Sequence, residues 1–457
     1  MKEKIERQLE ELADKIRKMA LTRFLIMGYV IVILVGTLLL ALPIAGRNGA
    51  ADLNEALFTA TSATCVTGLV LSDVYTQWSL FGQIVILMLI QIGGVGFMTI
   101  AIFALSFTKH RIGLKQRFTM QESVGAHQVG GIVRMTKFLL LASVGIELAG
   151  AFVLCFRFCP KLGFFRGVYF SVFHAVSAFC NAGIDLMGYF EPGSSVMTVK
   201  SDVVINLVFM ILIIVGGLGF LVWHDMLENK WRFKYYKLQT KIVIVTSLSL
   251  LIFGAVSLFI FEYSAPCFDG LSVPEKILAS FFQSTSARTA GFASVDLSQM
   301  NEAGQFVMIF LMFIGGSSGS TAGGIKTTTF AVLIISIYSV FRRRKTLECF
   351  RRRLDEEVVH NACCILMLYL MLAGAAAVII SFVEGVSMMA ALFECVSAIA
   401  TVGLSLGLTS SLGIVSQLII VFLMFVGRIG GLTVLLALSG GASSNSSQYP
   451  CERITVG

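Results

Sequence analysis

The stretch "FTATSATCVTGL", Phe58 to Leu69, decides the fold of this chain because it occurs four times. Its copies are "FHAVSAFCNAGI" (Phe173–Ile184), "FQSTSARTAGF" (Phe282–Phe292) and "FECVSAIATVGL" (Phe393–Leu404). Each copy begins with Phe, has Ser-Ala four residues later and then a Gly, six residues after the Ser in three copies and five in the third. A period of about 110 residues indicates a tandem repeat with one such segment in each unit.

The polar segments lie between apolar runs that predict membrane spans. The chain is 56% hydrophobic and 14% charged, with a mean hydropathy of +0.85, whereas soluble domains are about 25% charged. Runs able to cross about 30 Å of hydrocarbon lie at 22–44, 79–107, 136–158, 200–223, 241–263, 304–340, 360–383 and 412–438. We therefore expect eight spans, of which the sixth is interrupted.

The basic residues predict the orientation. Most of the 35 Lys and Arg residues lie in the N-terminal tail and in the loops 108–137, 224–241 and 341–358. With eight spans these segments share one side, which is the cytoplasm by the positive-inside rule. Both termini are then cytoplasmic, and residues 1–21 are expected to form an amphipathic helix near the membrane, or else a solvated tail. Because the net charge of +8 follows this topology, no nucleic-acid partner is expected.

The repeated segment predicts a pore. Its first half is typical of a short helix, and its second half, rich in Gly and Thr, of an extended loop. Irregular backbone at membrane depth is tolerated only where it is buried in protein or lines a water-filled cavity. Four such loops around one axis can ring an ion with carbonyl oxygens, as selectivity filters do, with Gly freeing the backbone to aim them. The alternative is that the loops only pack the bundle.

The predicted fold is an all-α polytopic membrane protein. Four tandem span–pore-helix–span units, with eight transmembrane helices, surround a pseudo-fourfold central pore. The units are expected at 22–107, 136–224, 240–340 and 359–440, and residues 441–457 form a C-terminal tail.

Two further features point to the pore. "GGSSGSTAGG", Gly315 to Gly324, interrupts the sixth span and is expected inside the pore, or else as a simple helix kink. Arg428 stands in the eighth span where other repeats have Gly94 and Gly217. A charge there must face protein or water, so Arg428 is assigned to the same constriction, or to a buried site satisfied by a carboxylate or by loop carbonyls.

Four other charged residues fall at membrane depth, and Lys326 is placed there by its position alone. Arg288 is expected to hydrogen-bond behind the third loop without facing ions. Glu147 and Glu394 are candidate counter-charges.

With "SATCVTG", "SAFCNAG", "TSARTAGF", "SAIATVG" and "GGSSGSTAGGIKTTT", residues 20–440 resemble the Trk/Ktr/HKT superfamily of potassium transporters, most closely the bacterial KtrB-type membrane subunits. The resemblance implies potassium uptake that is sodium-dependent, in the bacterial cell membrane. It also implies a homodimer and a cytoplasmic nucleotide-binding regulatory ring of the KtrA type. Sodium-selective relatives often carry Ser in the first filter position, where this chain has Gly68, so potassium selectivity is implied.

The resemblance assigns the site residues. Potassium is expected at the four repeat glycines, Gly68, Gly183, Gly291 and Gly403. The filter residues that accompany them are Thr64, Cys65, Val66, Thr67, Cys180, Asn181, Ala182, Thr289, Ala290, Ala400, Thr401 and Val402. The gate residues are Gly315, Gly316, Ser317, Ser318, Gly319, Ser320, Thr321, Ala322, Gly323, Gly324 and Arg428.

Other function classes are less consistent with the sequence. The five His are scattered, and no HExxH or GxSxG motif occurs, so a membrane enzyme is not expected. No organic cofactor is expected either, and the ligands are K+ and, as a coupled ion, Na+. The alternative that stays open is a permease for sodium or another monovalent cation with the same fold. Membrane lipid is the remaining expected partner, because the basic loops can bind anionic lipid.

Overall fold

A computed structural model describes residues 23, 26–96, 132–230, 232–344 and 346–430. The predicted amphipathic helix at 1–21, the end of the first unit at 97–107, the end of the fourth unit at 431–440 and the tail at 441–457 lie outside the described residues.

Each unit contains a short helix of 12–17 residues that ends inside the repeated segment and lies between other apolar helices. The first two units consist of α1 (Ile26–Leu40), α2 (Leu53–Cys65), α3 (Val74–Gln77), α4 (Leu80–Val95), α5 (Ile132–Leu162), α6 (Phe164–Cys180), α7 (Val203–Leu218) and α8 (Phe220–Glu228). The last two consist of α9 (Leu238–Glu262), α10 (Val273–Ser286), α11 (Glu302–Phe313), α12 (Thr327–Phe341), α13 (Glu356–Glu384), α14 (Met388–Ile399) and α15 (Ile414–Ile429).

A small hairpin joins the third and fourth units. Strands β1 (Leu347–Cys349) and β2 (Arg352–Leu354) pair antiparallel, with Cys349 opposite Arg352. Six short 3-10 turns complete the described elements, at Met187–Tyr189, Ser195–Val199, Phe233–Tyr235, Pro266–Phe268, Leu297–Gln299 and Thr409–Ser411.

The four units close into a ring. The helix that follows each short helix packs against the short helix of the next unit: α4 on α6, α7 on α10, α11 on α14, and α15 back on α2. Outward faces keep large apolar side chains exposed, such as Phe152, Phe165 and Phe382. In water such a surface would be costly, whereas hydrocarbon is its matching solvent. The ring therefore places the short helices inside and the apolar faces outside.

Fewer helices than expected are long and continuous. Among the described residues three could cross a membrane by length and composition, at Thr136–Leu162, Leu238–Glu262 and Glu356–Glu384. A fourth is counted if α7 and α8, bent by 92°, form one span. The other apolar helices have 10–17 residues. The eight-span arrangement therefore stays a prediction.

The bend in the fourth predicted span was not expected from the sequence. The helix stops at Gly219, whose φ is 95°, and restarts at Phe220. The N–H of Phe220 donates to the carbonyl of Gly319 at 2.7 Å, so a distant loop supplies a partner for a backbone group freed by the break. The bend thus combines a glycine with positive φ and a contact across a hundred residues of chain, and the sequence analysis did not predict it.

Candidate functional site

The four repeat glycines lie against one another in cyclic order. A Cβ built on Gly68 would lie 3.1 Å from the Cα of Gly183, and one built on Gly183 would lie 2.8 Å from the Cα of Gly291. A Cβ built on Gly291 would lie 3.3 Å from the Cα of Gly403, and one built on Gly403 would lie 2.9 Å from the Cα of Gly68. The four loops therefore meet in a closed ring of backbone.

Two features exclude a side chain at each ring position. All four glycines have positive φ: 95° at Gly68, 65° at Gly183, 81° at Gly291 and 94° at Gly403. Each also faces the carbonyl oxygen that precedes the next ring glycine, which a Cβ on Gly68 would approach to 2.5 Å and one on Gly183 to 2.7 Å. Only Gly satisfies both the conformation and the close approach.

A second left-handed residue stands two positions before each ring glycine. These residues are Val66, Asn181, Thr289 and Thr401, with φ of 56°, 59°, 69° and 52°. The third loop keeps this pattern although its Ser-to-Gly spacing is one residue shorter. The third loop is therefore one residue shorter between its Ser and Thr289, and from Thr289 to the ring glycine its backbone matches that of the other three units.

Serine hydroxyls hold the loops. Ser62 accepts from the N–H of Gly68 at 3.0 Å, Ser397 accepts from the N–H of Gly403 at 3.1 Å, Ser177 donates to the carbonyl of Ile184 at 2.6 Å, and Ser286 donates to the carbonyl of Phe292 at 2.5 Å. All four hydroxyls are buried. These serines were missing from the predicted site, although the Ser-Ala that follows the repeat Phe by four residues in every copy was the signal that could have found them.

Part of the predicted filter is still helical. Thr64 and Cys65 end α2 and Cys180 ends α6, so the non-helical backbone begins at Val66 and at Asn181. The expectation of an extended loop from Thr64 onwards is therefore wrong for its first two residues. The physical reason is that the last carbonyls of a helix are free of intrahelical partners and can face a pore without leaving the helix.

Several polar atoms near the ring have no partner. Within the part of the chain that the structure describes, the buried side-chain oxygens without a hydrogen bond include Oγ1 of Thr64, Thr67 and Thr401 and Oδ1 of Asn181. Buried polar atoms are nearly always satisfied by protein, water or an ion. Four such oxygens therefore belong to residues that closely precede the ring glycines in the chain.

A cavity of about 250 Å³ opens above the ring. The four ring glycines line it together with Asp73 and Asp185. Loss of water contact raises the pKa of Asp185 to about 6, and the charge of Asp73 adds to that rise. Asp73 accepts from the N–H of Thr76 at 2.9 Å and from that of Gly193 at 3.2 Å. The entrance therefore carries negative charge near neutral pH.

The Gly315–Gly324 segment lies beneath the ring. Helix α11 ends at Phe313 and α12 begins at Thr327, so the segment is a loop and not a kink in a continuous helix. The hydroxyl of Thr321 donates to the carbonyl of Phe179 at 3.1 Å, and the N–H of Ser317 donates to the carbonyl of Gly217 at 3.0 Å. The loop is thus tied to the second unit.

Arg428 bridges three parts of the chain. Its guanidinium group donates to the carbonyls of Thr321 and Gly93, and to that of Gly94 at 3.2 Å. Lys326 adds a second cation, whose Nζ donates to the carbonyl of Ala322 at 2.7 Å. Among the described residues Arg428 has no carboxylate partner within 4.0 Å, so backbone carbonyls of the loop and of α4 satisfy it. Both cations therefore contact the loop beneath the ring.

Comparison with known proteins identifies the family to which this chain belongs. The TrkH family, described as cation transport protein, matches residues 11–449. The chain belongs to the TrkH family. The chain is 39% identical over 434 residues to the Ktr system potassium uptake protein B of Bacillus subtilis, with 95% of this chain and 96% of that protein covered. It is 37% identical over 437 residues to the potassium/sodium uptake protein NtpJ of Enterococcus hirae, covering 94% and 96%.

Among solved structures, the potassium transporter TrkH from Vibrio parahaemolyticus superposes with a TM-score of 0.68 at 18% identity, covering 90% of this chain and 85% of that one. This likeness supports the TrkH-family fold. The predicted family is confirmed, and because its members are cation transport proteins, the expectation of transport without chemistry agrees with it.

Two carboxylates of this TrkH-family chain have local partners. Glu147 accepts from the amide of Gln91 at 3.1 Å. Glu394 accepts from the hydroxyl of Ser405 at 2.5 Å and from that of Thr409 at 2.6 Å. Glu147 therefore joins α5 to α4, whereas Glu394 braces the loop after α14, and neither lies within salt-bridge distance of a cation in the described residues.

Arg288 lies where the sequence led us to expect it. Its guanidinium group donates to the hydroxyl of Ser247 at 3.0 Å and to the carbonyl of the same residue at 3.3 Å. These bonds tie the third loop to α9 from behind.

Proposed function

We propose that this chain is the ion-translocating subunit of a potassium uptake system. The observation that carries the proposal is the closed ring of Gly68, Gly183, Gly291 and Gly403, whose backbones approach too closely for any side chain. A K+ ion gives up hydration water only where carbonyl oxygens replace it. Four like loops, each with two left-handed residues, offer such oxygens from all sides.

The filter consists of the backbone and side-chain oxygens of the residues that lead to each ring glycine. The carbonyls of Thr67, Ala182, Ala290 and Val402 each face the neighbouring ring glycine, and the unpartnered hydroxyls of Thr64, Thr67 and Thr401 lie beside them. The free C-terminal carbonyls of α2, α6, α10 and α14 add partial negative charge. Together these groups favour a dehydrated cation, and potassium binds at the four glycines.

Selectivity for potassium over sodium follows from the four glycines. A side chain at any of them would displace the neighbouring carbonyl and change the size of the ring. The name of the Bacillus subtilis relative supports potassium, and that of the Enterococcus hirae relative keeps sodium as a second transported ion. The second candidate is therefore a monovalent cation permease that carries sodium as well.

The loop Gly315–Gly324 is the gate. It lies under the ring, and the side chains of Arg428 and Lys326 donate hydrogen bonds to its carbonyls. A guanidinium group beneath a cation filter raises the barrier for cations, and releasing the loop and moving the guanidinium group away from the pathway would lower it. Opening requires that the bonds of Arg428 to α4 and to the loop be exchanged for others.

The assembly and setting follow the family resemblance. The chain acts as a homodimer in a bacterial cell membrane, with both termini cytoplasmic, and a nucleotide-binding ring of the KtrA type regulates it. Transport depends on sodium. Support comes from the apolar outer faces, from the distribution of basic residues and from the Ktr-system relatives.

The experiment is uptake of radioactive rubidium in a bacterial strain that cannot grow at low potassium, with and without sodium and with and without a candidate regulatory ring. Rescue of growth and rubidium uptake are expected, and sodium should compete weakly. No rescue despite normal membrane expression would contradict potassium transport, whereas sodium uptake that equals rubidium uptake would favour the second candidate.

A further inference from the structure

An apolar groove runs along the outside of the third unit. Its volume is about 480 Å³, within the range of about 300–1,000 Å³ that is typical of small-molecule sites. Its walls come from α9, α11 and α12. The lining residues that define it are Ile242, Val245, Phe253, Phe310, Phe330 and Ile334. The groove closes at one end on Cys349 and Phe350 of the β1–β2 hairpin.

The tip of this hairpin is strained. Phe350 and Arg351 form its two-residue turn, with φ of 46° and 62°. Two-residue hairpins of this kind normally use Asn and Gly, because both central residues need positive φ. Non-glycine residues in that conformation are typical of functional positions. Here the turn brings Phe350 to the mouth of the groove and leaves Arg351 exposed beside it.

Basic side chains are concentrated on the hairpin and on the segment that leads into it from α12. Those exposed on α12's end and on the hairpin are Arg342, Arg343, Arg344, Arg351, Arg352 and Arg353. Lys241 lies 5.8 Å from the ring of Phe233, and that ring packs edge-on against Phe350 at 6.2 Å. Glu348 is the acid on the hairpin itself, where Arg344 pairs with it at 3.9 Å, and Asp355, Glu356 and Glu357 follow at the start of α13, so the basic residues still outnumber the acids. The mouth therefore carries a net positive charge.

We propose that the groove binds an acyl chain of an anionic phospholipid whose phosphate lies against the guanidinium groups of the hairpin. The acyl chain packs along Phe253 and Phe310. Because these residues belong to apolar helices expected to lie in the membrane, a cytoplasmic protein could not reach them. The phosphate oxygens accept the two parallel N–H···O hydrogen bonds that an arginine guanidinium group can donate. A second copy of this chain would bring a hairpin of the same charge, so complementarity favours the lipid.

A second groove provides a contrast. It has a volume of about 540 Å³ and is lined by Leu207, Ile211 and Phe281, and an acidic side chain, Glu275, lies at its edge. It can hold a lipid chain as any membrane-facing surface can. Among the described residues that line it there is no cluster of arginines like that of the hairpin, so we expect a weaker preference for an anionic headgroup.

The test uses native mass spectrometry of the purified full chain after incubation with phosphatidylglycerol and phosphatidylcholine of identical acyl chains. Phosphatidylglycerol should remain bound in preference. Arg351→Gln should lower its bound fraction by about fivefold, the effect of about 1 kcal/mol per basic residue near a membrane surface. Ser249→Trp, at an exposed position that lines the groove, should displace the lipid, and Thr246→Trp provides a second filling variant if the first is poorly expressed.

Matched controls separate the alternatives. Leu207→Trp fills the second groove, and Lys161→Gln removes an exposed charge elsewhere; neither should change retention of phosphatidylglycerol. Equal retention of the two lipids, or retention unaffected by both filling variants, would overturn the proposal. A change in oligomeric state with Ser249→Trp and no loss of lipid would assign the groove to a second copy instead.

Discussion

The hydroxyl of Ser62 accepts a hydrogen bond from the N–H of Gly68 at 3.0 Å, so that the last turn of α2 holds the ring glycine of its own loop. The fourth unit repeats this relationship between Ser397 and Gly403 at 3.1 Å. In these two units, the six-residue spacing from Ser to Gly lets the serine hydroxyl in the last turn of the helix contact the ring glycine of the loop that follows.

Ser62→Ala should impair both stability and selectivity. The substitution leaves the buried N–H of Gly68 without its partner, which costs about 1–3 kcal/mol. We expect a lower melting temperature and a reduced rubidium-to-sodium uptake ratio. Ser143→Ala is the matched control, because Ser143 is also buried and bonds only the carbonyl of Leu139 in its own helix. Equal loss of selectivity in both variants would count against the loop-holding role.

Gly403→Ser should lower discrimination between potassium and sodium. Gly403 has φ of 94°, and a Cβ there would overlap the carbonyl oxygen of Thr67. Strain of about 1–3 kcal/mol corresponds to up to about a hundredfold change in an equilibrium constant. Competition of sodium against rubidium uptake measures the effect. Gly374→Ser, at a helical glycine with open space around it, should leave selectivity unchanged; unaltered selectivity in Gly403→Ser would refute the ring.

Deleting Ser317–Gly323 should raise the flux if the loop is a gate. The deletion removes the carbonyl of Thr321 that Arg428 holds and the carbonyl of Ala322 that Lys326 holds. Rubidium uptake in vesicles with equal amounts of protein measures it. A fall in flux at normal expression would count against gating.

Arg428→Gln tests the same gate without shortening the chain. It removes the positive charge and most of the bonds to Thr321, Gly93 and Gly94. Flux should rise, and Arg232→Gln, at an exposed basic residue, should leave it unchanged. A variant that folds normally and conducts like the wild type would show that the charge is only structural.

Uptake at low potassium should decrease as the external pH falls from about 7 to about 5. The pKa of Asp185 is raised to about 6 by burial, so its carboxyl group is mostly ionised above that pH and mostly neutral below it. Protonation removes a negative charge from the cavity above the ring and weakens attraction of cations. Asp185→Asn should give low uptake at both pH values, whereas Glu191→Gln, at an exposed acid nearby in sequence, should keep the pH dependence. A pH profile unchanged by Asp185→Asn would contradict this assignment.

The sequence led us to expect four units and the meeting of their loops, because each unit carries the same short motif and its own apolar runs. The glycines of that motif, Gly68, Gly183, Gly291 and Gly403, all adopt positive φ. The family could be recognised from these same motifs, and the comparisons confirm it.

The partners of the charged residues could not be derived in this way. Glu394 looked like a counter-charge but accepts from Ser405 and Thr409, and Arg428 is satisfied by backbone carbonyls of two other units. A side chain's charge indicates that it needs partners, but local sequence does not say which distant groups will be within reach.

The sequence by itself determined a membrane protein built from four repeats, with a glycine of each repeat at a site formed by backbone. Hydrophobicity, repeat spacing and the conformational freedom of glycine are properties of short stretches, so they can be read without the tertiary structure. Only the tertiary structure decided the bend at Gly219, the bonds that close the loop beneath the ring, and the groove at Phe350. Each of these depends on atoms brought together from distant parts of the chain, because a freed carbonyl or an exposed apolar surface takes whichever partner the packing of the four units places beside it.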